Sequence, residues 1–369
     1  MQENHIPTNT KKKKKRRNEN SILFGSIILC LVTLTAITIC LIMVFRYRAA
    51  QLENMEAMNT VEELKNENAE LYTQAEVDAM LQAGIEEATQ KEKIALLTRL
   101  KERLLDGDSV IKVLREFFPD EIVIVDSNQY YFFPILDTLK QHTYQPENFV
   151  YTQEGFMEYY EDDNLVSHKG IDVSRYQGKI DWEQVAEDEV EYAVIRLGIR
   201  GYTEGEVIED ETFEDNINGA LDNDIAVGVY FFTQAISDEE AKVEAKFVLD
   251  AIEPYQVECP IVLDVEAVSN QNARTRDLTK EERTQYCITF CKMIEESGYQ
   301  PMIYGNLKTF MLMLDMEQLE DYKKWFAFYD TELYFPYDFS VWQYTDNGSV
   351  AGIGGDVDLN ISFEDWGND

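Results

Sequence analysis

Histidine is nearly absent from this chain: three residues in 369, none close in sequence to a cysteine. A structural zinc site needs more ligands than that, so no metal is expected. Cysteine is almost as scarce. Of five, Cys30 and Cys40 sit in an apolar run, leaving Cys259, Cys287 and Cys291, an odd number without framework spacing. A disulfide scaffold is therefore excluded. Cys287 and Cys291, four apart on a predicted helix, read as small buried apolar side chains. Basic residues are the third shortage, 33 against 70 acidic ones, for a formal charge of −37. Gripping phosphates requires a basic face, so nucleic-acid binding is excluded as well. What remains is a folding composition, 45% hydrophobic and 28% charged.

The charge is unevenly placed. Residues 1–48 hold nine basic and two acidic side chains, a net of +7, which leaves −44 on the remainder. Between the basic end and the acidic body lies Ser21 to Phe45, 25 residues without a charge. As a helix it would extend about 37 Å, enough for a hydrocarbon core of about 30 Å. A cleaved signal peptide and a buried core helix are the alternatives. A signal core is usually about 7–15 residues long, and no clear small-residue cleavage site follows this run. The expectation is a retained single-pass anchor in the cell membrane, with a basic cytoplasmic tail at 1–20 and nearly everything after residue 45 outside.

Residues 46–105 read as a helical stalk. From Ala49 to Leu105 there is no proline, Thr73 and Glu76 have capping-box spacing, and apolar residues recur at Val77, Leu81, Ile85 and Ala88. Val61, Leu64, Asn68, Leu71 and Ala75 form the only fair heptad run, which leaves self-association through the stalk open. Residues 106–165 form a smaller α/β segment whose role the sequence does not reveal. From 166 to 369 the pattern is regular. Eight apolar runs begin near Gly170, Tyr192, Ile225, Pro260, Pro301, Trp325, Ser340 and Val357. Helices are expected at 237–252 and 280–297, each opened by a capping-box spacing (Ser237 with Glu240, Thr279 with Glu282). Continuous rather than alternating apolar strands are covered on both faces. The fold class is α/β: a modified TIM-like β/α barrel closed by parallel strands, its last crossings too short for full helices.

In such barrels reactive groups collect at the C-terminal strand ends. Those ends carry Asp172, Arg196, Tyr230, Asp264, Glu266, Tyr304, Tyr329, Gln343 and Asp358. No Ser-His or Cys-His pair is among them, which points away from acyl transfer. Asp264-Val265-Glu266 is the sharpest local feature. On a strand, residues i and i+2 share a face, so both carboxylates would enter one cavity. Neither could ionise freely beside the other, and a carboxylic acid still protonated near neutrality can protonate a leaving glycosidic oxygen. Asp-x-Glu is common on solvated strand ends, so the triplet alone is weak. Its position after a hydrophobic strand, among aromatics and other acids, strengthens it. Arg196 reads equally as a substrate ligand or as half of a structural ion pair. Trp182, Trp325 and Trp342 fit sugar stacking or the core. Gly352, Gly354 and Gly355 read as a tight turn, since no Lys-Ser/Thr follows.

Lys169 to Ser174 with Gln177-Gly178, Tyr192 to Arg196, Gly228 to Phe232 and Leu263 to Glu266 resemble, in order, the glycoside hydrolase family 25 lysozymes. Ile303-Tyr304, Trp325 to Tyr329, Trp342 to Tyr344 and Val357 to Asn360 continue the resemblance, which covers about residues 168–366. It implies a barrel that hydrolyses the β-1,4 bond between N-acetylmuramic acid and N-acetylglucosamine, without a cofactor. Glu266 would be the general acid, and Asp264 would orient the substrate's 2-acetamido group. Asp172 and Asp358 match the other two acids lining the site, and Tyr230, Tyr304 and Tyr329 match positions shaping the sugar groove. Many family members carry histidine after the third-strand tyrosine, where this chain has Phe231, which puts the contact made there in doubt. The expected partners are peptidoglycan strands and the membrane. The rival from another class is a non-catalytic wall-binding scaffold, and a further alternative is the same chemistry on another N-acetylated glycan.

Overall fold

The computed structural model describes residue 38 and residues 41–61, 73–330 and 332–366. The expected basic tail, and all of the expected membrane span except Thr38 and Leu41–Phe45, lie outside the described residues, as does most of the heptad run. Among the described residues, no helix is long and apolar enough to cross a membrane. Residues 41–61 are helical, and Leu41 to Phe45 are exposed there. The chain divides into two compact units, Met1–Arg99 and Leu100–Asp369.

Helix α1, Gln74–Leu105, starts where the capping box places it. The Thr73 N–H donates to Glu76 Oε2 at 2.7 Å, and the Glu76 N–H to Thr73 Oγ1 at 3.4 Å. Its 32 residues span about 48 Å, and none is buried.

The barrel is built from β6 (His168–Val173), β7 (Tyr192–Arg200), β9 (Ala226–Phe232), β10 (Ile261–Asp264), β11 (Pro301–Asn306), β12 (Lys323–Ala327), β13 (Val341–Gly348) and β14 (Val357–Ser362). Strands pair in that order and β14 returns to β6, closing the sheet; β8 (Val207–Glu209) is an antiparallel addition to β7. Each apolar run of the sequence falls on one of the eight. Direction is where the expectation needs correcting. β6, β7 and β9 through β13 run parallel, but β14 is antiparallel to both neighbours. Parallel strands need a crossover of a dozen residues or more, and only 349–356 separate β13 from β14. That stretch is the Gly-rich turn: Gly352 (φ +85°) and Gly355 (φ +143°) hold conformations that L side chains resist.

The last three crossings are the shortest. α3 (Trp182–Glu187), α4 (Phe213–Leu221), α5 (Asp238–Ile252) and α6 (Lys280–Glu296) cover the early strands, while one π-turn at Thr309–Met313 follows β11 and, among the described residues, no helix follows β12. Ser237 caps α5 by accepting from the Glu240 N–H at 3.2 Å, and Thr279 with Glu282 completes a capping box at α6. Two cores result from strand alternation. Ile171, Ile195, Val229, Phe231, Leu263 and Ile303 point outward to the helices. Tyr192, Val194, Val262, Met302, Trp325 and Val341 fill the barrel's interior. Cys287 and Cys291 are buried on α6 and burial raises both thiols, as small apolar side chains require.

Residues 106–165 belong to the barrel's compact unit. α2 (Val110–Phe117) precedes a hairpin of β1 (Glu121–Asp126) and β2 (Gln129–Pro134), and β3 (Phe149–Tyr151), β4 (Met157–Glu161) and β5 (Asn164–Leu165) form a small antiparallel sheet. Two tight turns hold non-glycine residues at positive φ, Ser127-Asn128 and Asp162-Asp163. In two-residue hairpin loops that conformation matches the strands' twist. Tyrosines from the β12–β14 side join the segment to the barrel. Tyr334 Oη accepts from the Val123 N–H at 2.8 Å, Tyr337 Oη from Leu136 at 3.1 Å and Tyr344 Oη from Met157 at 3.0 Å. Phe156 and Tyr159 are buried in the same cluster as the barrel's outer face.

Candidate active site

The acids meet at the C-terminal mouth of the barrel because of register. Asp172 on β6 and Asp358 on β14 are direct antiparallel partners, and Asp264 on β10 is level with Tyr304 on β11. Opposed residues on one face hold their Cβ atoms about 5 Å apart. Glu266 lies just past β10, where the Thr309 hydroxyl bonds the Val265 carbonyl at 3.0 Å and the Val265 N–H bonds Tyr304 at 3.1 Å. The backbone thus keeps strand-like alternation beyond the last residue of β10, and Glu266 faces the same cavity as Asp264.

Asp172 is held as an anion-ready group. One oxygen, Oδ2, accepts from Gln343 Nε2 at 2.7 Å and from Asn360 Nδ2 at 2.9 Å. Gln343 Oε1 in turn accepts the hydroxyls of Tyr304 (2.8 Å) and Tyr329 (2.6 Å), and Asn360 Oδ1 accepts Trp325 Nε1 at 2.8 Å. Each amide is oriented by its own donors, so both N–H groups must point at Asp172. Burial nonetheless pushes Asp172 up to about 6, against those two hydrogen bonds and with the charge of Glu266 adding to the rise.

The other three carboxyls are raised too, and burial is the leading cause for each. Asp358 is pushed up to about 8, with Asp172 and Asp346 as further causes. Asp264 is raised well above the usual range by burial and by Glu266 and Asp172, with Arg196 pulling the other way. Glu266 is raised by burial against a hydrogen bond shared with Asp264. The close pair therefore retains a proton to higher pH than isolated carboxyls would. Among the described residues, Asp264 Oδ1 is buried and has no hydrogen-bond partner. A buried acceptor left open costs free energy that an incoming donor would recover.

The remaining sequence candidates separate. Tyr230 faces the same interior, its ring edge-on to Trp325 at 6.4 Å. Tyr329 is half-exposed at the rim. Arg196 forms an ion pair, but its partner is Asp210 at 2.6 Å rather than a barrel-strand acid. Asp210 also accepts the Arg175 and Thr212 N–H groups, so Arg196 is fixed beside the acids instead of hanging free. Phe231 is fully buried on the outer face against Phe247, 6.0 Å between centroids, and does not line the cavity. Trp182 and Trp342 are buried as well, and Trp342 Nε1 bonds the Phe328 carbonyl at 2.9 Å. Both belong to the core. Asn360 and Asp346 are what a reading of strand ends misses in the acid network, while Trp325, of the two readings open to it, is buried in the interior and orients Asn360. Asn360 had a signal, since it stands two residues after Asp358 on one face of β14. Among the described residues, no group of His, Cys, Asp and Glu is arranged to hold a metal ion.

The model of the family described as glycosyl hydrolases family 25 matches residues 171–353. An uncharacterized protein of Escherichia coli, YegX, is 31% identical over 199 residues, covering 52% of this chain and 68% of YegX. An autolytic lysozyme of Clostridium acetobutylicum is 26% identical over 193 residues, covering 52% of this chain and 55% of that protein. The solved structure of the modular autolysin LytC from Streptococcus pneumoniae matches with a TM-score of 0.49 and 24% identity, over 65% of this chain and 57% of that one. This chain thus spans little more than half the length of the latter two. On the family match and the relation to YegX, the chain belongs to family 25 of the glycosyl hydrolases.

Proposed function

We propose that the protein is a membrane-anchored muramidase, cutting the β-1,4 bond between N-acetylmuramic acid and N-acetylglucosamine in peptidoglycan. The observation that carries the reading is the juxtaposition of Asp264 and Glu266 at the barrel mouth, where burial raises both carboxyls and favours the proton that a glycosidic oxygen needs. The clostridial relative, a lysozyme by name, supports the choice of substrate. Glu266 gives its proton to the leaving oxygen as the bond to C1 breaks. The open Oδ1 of Asp264 accepts the acetamido N–H and so aims that group's carbonyl oxygen at C1. That oxygen bonds C1 as the glycosidic bond breaks, closing a ring. Water then attacks C1, the ring C1–O bond breaks, and the Glu266 carboxylate takes up the proton that water gives off. Asp172, pushed up only to about 6, supplies negative potential to the electron-poor C1, while Asp358, pushed up to about 8, lines the site as a neutral acid and Tyr230, Tyr304 and Tyr329 shape the groove. Residues 21–45 anchor the chain, 1–20 stay in the cytoplasm, and α1 holds the enzyme off the membrane, confining cleavage to wall within reach.

The test is to incubate the full chain with purified peptidoglycan beside a Glu266→Gln variant and identify new reducing ends by mass spectrometry. Muramic-acid ends are expected from the wild type, reduced about 10²–10⁴-fold in the variant. A folded wild type that sediments with the wall yet makes no new ends would overturn the enzymatic reading and favour a wall-binding scaffold. N-acetylglucosamine ends would overturn the bond assignment. Release of the chain from membranes by an alkaline carbonate wash would sink the anchor.

A further inference from the structure

Tyr329 faces two ways. Its hydroxyl reaches Gln343 in the acid network, and its half-exposed ring also lines a separate hollow of about 410 Å³. That hollow lies over the rim, against the outward-facing Tyr344 and Leu359 of β13 and β14. Its far wall comes from the β3–β4 turn, through Tyr151 and Glu154. Those residues precede the family-matched region.

The wall is well fixed. Phe156 is buried at the base of the turn, which closes with Thr152 N–H to the Phe156 carbonyl at 2.8 Å. Tyr344 is pinned by the Met157 N–H at 3.0 Å and meets Tyr151 edge-on at 6.1 Å between centroids. Tyr151 itself stays 52% exposed. The volume falls in the range of small-ligand sites, and its lining pairs tyrosine rings with Asn347 and the carboxyls of Glu154 and Asp330. Among the described residues, none that lines it is basic. A carboxylate-bearing ligand would be repelled, whereas a neutral pyranose offers C–H faces to the rings and hydroxyl donors to the acids.

We propose that this hollow is an additional saccharide subsite, which grips a neutral N-acetylglucosamine unit of the glycan strand beyond the sugars seated at the acids. The proposal rests on the reading of the acid cluster as a glycan-cleaving site, and deepens it. Continuity through Tyr329 argues for the same strand rather than a separate ligand. Longer strands should then be better substrates than short ones, and the β3–β4 turn should account for the difference.

The experiment compares the full chain with Tyr151→Ala on peptide-free glycan oligosaccharides of four and of ten sugars. For the ten-sugar chain, kcat/KM should fall about 5–10-fold through KM, an effect the size of one aromatic contact. For the four-sugar chain it should not change. Equal losses on both lengths, or none on either, would overturn the subsite. Should the wild type cleave neither, calorimetric binding of the ten-sugar chain decides: weaker binding by Tyr151→Ala supports the subsite although the muramidase reading has failed, and unchanged binding sinks it.

Discussion

Helix α1 and the barrel mouth are both rich in carboxylates, yet they do opposite things with them. The helix spreads Glu76, Asp78, Glu86, Glu87, Glu92 and Glu102 among five basic residues, and none of its 32 side chains is buried. The mouth gathers Asp172, Asp264, Glu266 and Asp358 behind protein, with Arg196 pulling Asp264 down and itself paired to Asp210. Solvated charge is inexpensive and local sequence tolerates it freely. Buried like charges destabilise the fold unless protons stay on, so their accumulation marks a site that uses the protons.

This contrast is broken most strongly by pH. Asp358 releases its proton near 3.8 in the unfolded chain and at about 8 in the folded one; for Asp172 the folded value is about 6. Between those limits the folded state binds more protons, so stability falls as pH rises. Their contribution is complete below about pH 4 and disappears as pH climbs through about 6 and then about 8. Asp358→Asn, which stays neutral throughout, should be the more stable protein at pH 8.5, by on the order of a few kcal/mol, and equal to the wild type near pH 4. Urea unfolding at the two pH values checks this. A variant less stable at pH 8.5 would mean that Asp358 is held as an anion.

A smaller effect separates the mouth from the layer beneath it. Gly170 lies on β6 two residues before Asp172, and a Cβ there would sit 2.0 Å from Cζ of the Tyr192 ring. Tyr192 fills the barrel's interior and meets Trp366 edge-on at 5.0 Å, so its ring has little room to yield. Gly170→Ala should cost about 1–3 kcal/mol, as overpacking does. Because Asp172 is steered by Gln343 and Asn360 rather than by this layer, the variant should keep its kcat at temperatures where it is folded. Thermal melts and rates measured together test both halves.

How far this was legible in the sequence depends on the distance over which each signal acts. The strands, the caps at Thr73, Ser237 and Thr279, and the Asp264–Glu266 juxtaposition are local patterns, and local patterns survive in sequence. The antiparallel course of β14 was not visible, since apolar periodicity carries no direction; only the shortness of 349–356 hinted at it. The seat of residues 106–165 was hidden for another reason. It depends on tyrosine hydroxyls of Tyr334, Tyr337 and Tyr344 meeting backbone N–H groups about 190–210 positions earlier, and nothing in either stretch announces the match. Arg196 stood between two readings until Asp210, on a loop, supplied its partner.

The gentlest way to sharpen the comparison is to change α1 itself. Ile94 and Leu97 are 61% and 52% exposed. Removing apolar surface that water already reaches forfeits no burial, so Ile94→Ser with Leu97→Ser should shift the stability of the hydrolase unit by less than about 0.5 kcal/mol. Helix propensity falls slightly at each site, which circular dichroism of the full chain would register as a small local loss. The informative result is a dependence on protein concentration. If the double variant melts like the wild type at low concentration but loses stability relative to it at high concentration, the exposed apolar side chains are covered by a second copy, and the stalk is an interface. Identical melts at all concentrations would leave α1 as a spacer, whose charges face water on every side and whose length is its only contribution.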